Sequence, residues 1–232
     1  FNATLRLIGL DRPIYGMTMV GVMRIELLHE LLRKAYLGKQ LKGGFLEAGV
    51  WRGGNCIYAK AFMRAYNLDY PVWVVDSFQG LPKKEHARDL DYWYGDLSVS
   101  LPAVQDHFKR YGLFDSSVKF VPGFFGDSLP IARQGISALA ILRLDGDMYK
   151  STLEILCNLY DKLLVGGYWI VDDWGLDPPI AKHAVLDFKR ANHIPDRHVH
   201  IGDEMGVWFE KRLDKAVNRS WCESVLYAET PK

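Results

Sequence analysis

Cysteine is scarce: Cys56, Cys157 and Cys222 are the only three in 232 residues. Thiols this few and this scattered exclude a disulfide-framed scaffold and a cysteine-built zinc site. They read as reduced thiols in the cytoplasm. Net charge is lacking as well. With 29 basic against 28 acidic residues the chain carries +1, so no overall field recruits nucleic acid or an anionic membrane. No stretch approaches the ~20 apolar residues that a membrane-spanning helix needs. Repeats and low-complexity tracts are absent. These absences point to a small-molecule partner and leave a homo-oligomer open. The sequence begins at Phe1 rather than Met, which leaves room for a leader before it.

Apolar residues make up 49% of the chain and charged residues 25%, as in a folded globular protein. A length of 232 residues suits a single α/β domain without a second core. Apolar spacing in "LLHELLRKAY" (Leu27–Tyr36) predicts a helix. Strand and helix signals then alternate. "GGFLEAGV" (Gly43–Val50), "PVWVVDSF" (Pro71–Phe78), "SVKFVPG" (Ser117–Gly123), "ALAILRLD" (Ala138–Asp145) and "GGYWIVDD" (Gly166–Asp173) read as strands. "NCIYAKAFMRAY" (Asn55–Tyr66) and "STLEILCNLYDKLL" (Ser151–Leu164) read as helices between them. The alternation implies a parallel sheet with helices on both faces. "HVHIG" (His198–Gly202) and "GVWFEK" (Gly206–Lys211) leave no room for a crossover helix, so they should pair antiparallel. The irregular stretch from Pro82 to Leu101 is too long for an ordinary connection and reads as a lid or binding segment.

Ligands of doubly wound sheets sit at the carboxyl ends of the strands. The first strand ends in "EAGVWRGG", with Glu47, Gly49, Gly53 and Gly54. Glycines allow close backbone approach to a ligand, or simply turn the strand into the next helix. Trp51 and Arg52 separate Gly49 from Gly53, so this is not the dinucleotide fingerprint. Asp76 closes the second strand, where a carboxylate can accept from both hydroxyls of a ribose, or cap a turn with Ser77. Asp127 and Ser128, after the third strand, face an adenine or cap the helix that follows. Asp145 ends the fourth strand, and Asp172 and Asp173 end the fifth. Three converging carboxylates repel unless a cation or a shared proton lies between them, and all-oxygen ligands favour Mg²⁺ before Ca²⁺ or Mn²⁺. The plainer alternative is that they cap turns and helices. Asp147 lies past the strand and reads as a cap of the helix opened by Ser151 and Thr152.

Other residues invite chemistry and suit packing. His183, His193, His198 and His200 span a helix, a loop and a strand, which disfavours one metal site. His86 and His107 reach a substrate only from the lid side. Tyr92, Trp93 and Tyr94 form an aromatic wall for a ligand or pack the lid down, and Cys56 reads as a small buried hydrophobe.

"FLEAGVWRGG", "VWVVDSFQGLP", "LSVSLPAVQDHFKRYGLFD", "LRLDGDMYKST", "LYDKLLVGGYWIVDDWG" and "AVLDF" together resemble the macrocin O-methyltransferase family, from Arg12 to Lys211. The resemblance implies a class I methyltransferase Rossmann-like α/β fold. That fold has a mostly parallel seven-stranded sheet with one antiparallel strand, an N-terminal helical cap over 1–42 and a lid over 82–101. It also implies S-adenosylmethionine- and Mg²⁺-dependent methylation of a hydroxyl, typically on a sugar of a natural product. Carried over, the cofactor contacts are Glu47, Gly49, Trp51, Arg52, Asp76, Ser77, Asp127, Ser128 and Asp145. Asp145, Asp172 and Asp173 become metal ligands, and Asp145 also the general base. Trp174 stands where the family often has Tyr, the wording of 83–97 is its own, and the tail 217–232 matches nothing in the resemblance. Two rivals stay open: the same chemistry on a catechol, phenol or polysaccharide hydroxyl, and a non-catalytic nucleoside-binding module. Glycine spacing and the antiparallel end disfavour a nicotinamide dehydrogenase.

Overall fold

The computed structural model describes residues 15–89, 91 and 93–227. Tyr92, the start of the expected N-terminal cap and the end of the tail lie outside them. Seven strands form one sheet: β1 (Gly44–Ala48), β2 (Val72–Asp76), β3 (Val118–Pro122), β4 (Leu139–Leu144), β5 (Leu163–Val171), β6 (His198–His200) and β7 (Val207–Glu210). Their order is β3-β2-β1-β4-β5-β7-β6. β1 to β5 run parallel, and β7 lies antiparallel between β5 and β6, as the short gap before it requires.

Period-two alternation sends neighbouring strand residues to opposite faces. Leu46, Ala48, Leu142, Leu144, Trp169 and Val171 face one core. That core is filled by α4 (Phe125–Gly135), α5 (Tyr149–Leu159), α6 (Ile180–Ala191) and α7 (Arg219–Leu226). Phe45, Val72, Val74, Ile141 and Ile170 face the other, covered by α1 (Val22–Leu32), α2 (Gly54–Ala65) and α3 (Leu101–Arg110). The antiparallel end is fastened by Trp169 stacked on Phe209 at 3.9 Å.

Three expectations need correction. The helix read from Ser151 to Leu164 stops at Leu159, followed by one 3₁₀ turn, and β5 begins at Leu163. Lys211, fully buried, sets that boundary: its Nζ donates to the carbonyls of Tyr160 at 3.2 Å and Leu163 at 2.7 Å. The first helix begins earlier than read, at Val22, and a π-helical turn over Arg33–Gly38 continues it. Finally, Cys157 and Cys222 are not free thiols but a disulfide, 65 residues apart in sequence. It ties α5 to a C-terminal helix that the tail did not announce; only Cys56 is free, and it is buried. The inference from reduced thiols to a reducing compartment therefore fails for this pair. No helix among the described residues is long and apolar enough to cross a membrane.

Candidate active site

The sheet's ladder runs one residue past the strands. Gly49 N donates to Val75 O at 2.9 Å, Asp145 N to Ala48 O at 2.9 Å, and Asp172 N to Leu144 O at 3.0 Å. Gly49, Asp145 and Asp172 thus stand side by side at one edge. Only glycine fits the first place: φ is +88°, and a Cβ would lie 1.7 Å from Asp145 O.

Behind this edge lies a charge the sequence reading passed over. Arg143, buried inside β4, places Nη1 at 2.5 Å from Glu47 Oε1 and 2.7 Å from Asp145 Oδ2, and Nη2 at 2.5 Å from Asp172 Oδ1. Arg24 of α1 adds Nη1 at 2.8 Å from Asp172 Oδ2, and its Nε lies 2.6 Å from Asp203. The carboxylates therefore divide. Burial alone would raise Asp172, but Arg143 and Arg24 outweigh it and hold the group below the usual carboxylate value. Asp145, Asp147 and Asp173 bring carboxylate oxygens within 4.8 Å of one another. Burial and mutual repulsion push Asp145 and Asp173 well above the ordinary value. Asp147 rises to about 7 through burial, then through Asp172 and Asp76. Asp147 is held at φ +54°, and its amide donates to Asp173 Oδ2 at 3.2 Å. The converging trio thus differs from the expected one: Asp147 joins Asp145 and Asp173, while both oxygens of Asp172 face arginines.

These carboxylates line a cavity of about 720 Å³ at the carboxyl edge of the sheet. Of the expected cofactor residues, Glu47, Gly49, Trp51, Asp76, Ser77, Asp127 and Asp145 line it. Asp76 Oδ2 accepts from the amides of Val50 at 2.8 Å and Trp51 at 3.3 Å, and Oδ1 from that of Phe78 at 2.7 Å. Its carboxylate holds the β1 loop in shape, with Ser77 Oγ a further donor at 3.5 Å to Oδ1. Buried Glu47 accepts from Asn55 Nδ2 and Cys56 Sγ, both at 2.9 Å. Ser128 and Arg52 are not among the lining residues. Ser128 Oγ donates to Gly123 O at 3.2 Å, and Arg52 lies over the Trp51 ring with Nη1 donating to Gly16 O at 3.0 Å.

Among its described residues, segment 82–101 carries neither helix nor strand before α3 and contributes Pro82, Lys83, Glu85, Asp89, Tyr94 and Leu97 to the cavity wall. It is fastened to α5 and α6. Arg88 pairs with Asp187 and reaches Tyr149 Oη at 3.2 Å, His86 stacks on Tyr149 at 4.6 Å, and Asp89 Oδ1 accepts from Lys150 N at 3.0 Å. Tyr94 faces the cavity while Trp93 points outward, 82% exposed. His183, His193, His198 and His200 are all exposed. His198 lies on Trp174 at 5.0 Å, and His107 bonds to Arg52 O at 2.9 Å. A signal for Arg143 existed, a lone charge inside the apolar run "ALAILRLD". Nothing local marked Arg24, whose partner Asp172 is 148 residues away.

Residues 1–211 match the family described as Macrocin-O-methyltransferase (TylF). Mycinamicin III 3''-O-methyltransferase of Micromonospora griseorubida is 40% identical over 213 residues, 88% of this chain and 82% of that protein. A Streptomyces olivaceus protein named 8-demethyl-8-(2,3-dimethoxy-alpha-L-rhamnosyl)-tetracenomycin-C 4'-O-methyltransferase is 41% identical over 216 residues, 90% of this chain and 80% of its own. The structure of the O-methyltransferase NovP superposes with a TM-score of 0.84 at 39% identity, covering 92% of this chain and 89% of that one.

Proposed function

Because this chain belongs to the macrocin O-methyltransferase family and is an S-adenosylmethionine-dependent O-methyltransferase, we propose that it methylates a hydroxyl on the sugar of a glycosylated natural product, with Mg²⁺ at its acidic cluster. The observation that carries the reading is the half-buried group of Asp145, Asp147 and Asp173, on the wall of a cavity also lined by Gly49, Asp76 and Asp127. Support for a sugar acceptor is the rhamnosyl group in the name of the tetracenomycin relative. We read the whole chain as one catalytic unit, with the N-terminal segment as a cap and 82–101 as its lid. The cytoplasm is the compartment we propose, on the ground of the nucleoside cofactor rather than of the thiols.

The donor set fits a hard divalent cation: it is all oxygen, half-buried, and electrostatically unfavourable while the carboxylates face one another. Asp145 and Asp173, common to the expected and the observed groupings, hold it. Bound there, the cation supplies charge that lowers the pKa of a hydroxyl and fixes its place. The cavity fits the cofactor too, through a β1 turn without a Cβ at Gly49 and a carboxylate on its wall at Asp76. Bound S-adenosylmethionine supplies a methyl already activated by the sulfonium charge.

The chain's own work is to orient, to exclude water and to take a proton. Tyr94, Leu97 and Leu176 close the acceptor side with apolar surface. Asp145 Oδ2 already pairs with Arg143 Nη1, whereas no side-chain cation among the described residues pairs with Asp147, which leaves its oxygens free to accept a proton. We therefore assign the hydroxyl proton to a carboxylate oxygen of Asp147, in place of Asp145. Asp172, between Arg143 and Arg24, positions Asp173 without touching the acceptor.

A Mg²⁺ titration of wild type and of Asp145→Asn, Asp147→Asn, Asp172→Asn and Asp173→Asn tests this. Asp145→Asn and Asp173→Asn should lose metal affinity. Asp147→Asn should keep it and lose about 10² to 10⁴-fold in kcat. Full turnover in EDTA removes the cation from the reaction. A parallel fall of metal affinity and kcat in Asp147→Asn makes it a ligand and returns the base to Asp145.

A further inference from the structure

One buried acid on the cavity wall belongs to neither the metal cluster nor the cofactor contacts named so far. Glu154, on the second turn of α5, has a side chain only 13% exposed and lines the main cavity together with Phe124, Phe125, Gly126 and Asp127. Its carboxylate lies over the first turn of α4: a Cβ on Gly126 would come within 2.7 Å of Oε1, so glycine leaves room for that oxygen. No donor among the described residues hydrogen-bonds to this carboxylate. The cation beside it, Lys150 Nζ at 4.0 Å, is already paired with Glu85. Burial, and then Glu85, Asp89 and Asp127, push Glu154 up to about 7 against the pull of Lys150. Its oxygens open on the cavity, where a ligand N–H can take the place of water as the donor.

Given the order β3-β2-β1-β4, a nucleoside whose methyl end lies at Asp145 and whose ribose lies at Asp76 carries its base to the far side, toward the turn after β3. Phe124 and Phe125 offer ring faces there, and Glu154 and Asp127 offer acceptors at the rim. An exocyclic amine is a donor that two carboxylates can bind; a carbonyl at the same position is an acceptor that they repel. We propose that Glu154, assisted by Asp127, accepts the 6-amino group of the cofactor's adenine and sets the preference of this site for a 6-amino over a 6-oxo purine. This rests on reading the cavity as the S-adenosylmethionine site.

The test is calorimetric binding of S-adenosylhomocysteine and S-inosylhomocysteine, which differ at that group and in the N1 proton that the 6-oxo base carries, to wild type and to isosteric Glu154→Gln. Wild type should favour the amine by about 10 to 100-fold, the scale of a hydrogen bond to a charged group against an opposed acceptor pair. Glutamine presents both a donor and an acceptor. In Glu154→Gln, affinity for S-adenosylhomocysteine should fall roughly tenfold, and the preference should shrink to about threefold or less. Binding of S-adenosylhomocysteine near pH 7 should release protons in wild type and not in the variant. An unchanged preference in folded Glu154→Gln, or one moved only by Asp127→Asn, overturns the proposal. Wild type that binds neither compound overturns the cofactor reading instead, and this proposal with it.

Discussion

Arg143 and Asp172, from neighbouring strands, meet at 2.5 Å between Nη2 and Oδ1 beneath the acidic edge of the cavity. The same guanidinium holds Glu47 and Asp145, so one buried cation balances three carboxylates. The edge can therefore gather acids without bursting apart: part of its charge is already matched, and the unmatched part points into the cavity.

Replacing that hub is the first prediction. Arg143→Met leaves Glu47, Asp145 and Asp172 buried without their shared partner, and the fold should lose roughly 3 to 5 kcal/mol in urea denaturation. A loss under about 1 kcal/mol would show that proton uptake by the acids replaces the arginine.

Asp76 shapes the β1 turn, and the proposed cofactor reading gives it a ribose to hold as well. In Asp76→Ala, affinity for S-adenosylhomocysteine should fall by roughly 1 to 3 kcal/mol, because buried hydroxyls lose their acceptor and Val50 and Trp51 lose theirs. Calorimetry on a variant whose circular dichroism matches wild type checks it. Unchanged affinity would take Asp76 out of the site.

Glu154 makes stability depend on pH in the ligand-free protein. Its folded pKa, about 7, is raised above the ordinary 4.5, so between these values the folded state binds more protons than the unfolded one. Stability from this group is fully present below 4.5 and lost as pH rises through 7. Relative to wild type, Glu154→Gln should gain roughly 1 to 3 kcal/mol between pH 4 and pH 8. A difference that stays flat over that range would mean that Glu154 titrates as an ordinary surface acid.

The proposed lid can be tested through how 82–101 is fastened. Its described residues reach α5 and α6 through Arg88 to Asp187, Lys150 to Glu85, Asp89 to the first turn of α5 and His86 stacked on Tyr149. Amides of this segment should exchange quickly in the free protein and slow by about tenfold or more when cofactor and acceptor are both present. Equal protection in the two states would make the segment a fixed wall.

Much of this was legible in the chain alone. Alternating apolar runs, each closed by Gly49, Asp76, Asp145 or Asp172, mark the parallel strands and place the ligand edge, because in a parallel sheet every strand ends on the same side. The short gap between Gly202 and Gly206 likewise dictates the antiparallel end. Period and punctuation are local properties, and local properties survive in one dimension.

Partnership among side chains is not local. Asp172 and Asp173 are adjacent in sequence, yet one meets Arg24 and Arg143 while the other turns to Asp145 and Asp147. Cys157 finds Cys222 only because α7 folds back on α5, and Arg52, two residues from the cavity-lining Val50, lies across Trp51 instead. Sequence alone marked Gly49, Asp76, Asp145, Asp172 and Asp173 as residues of the edge. Only the tertiary structure decided which of them share a charge, because that depends on side-chain direction and on contacts spanning more than a hundred residues, such as Arg24 to Asp172.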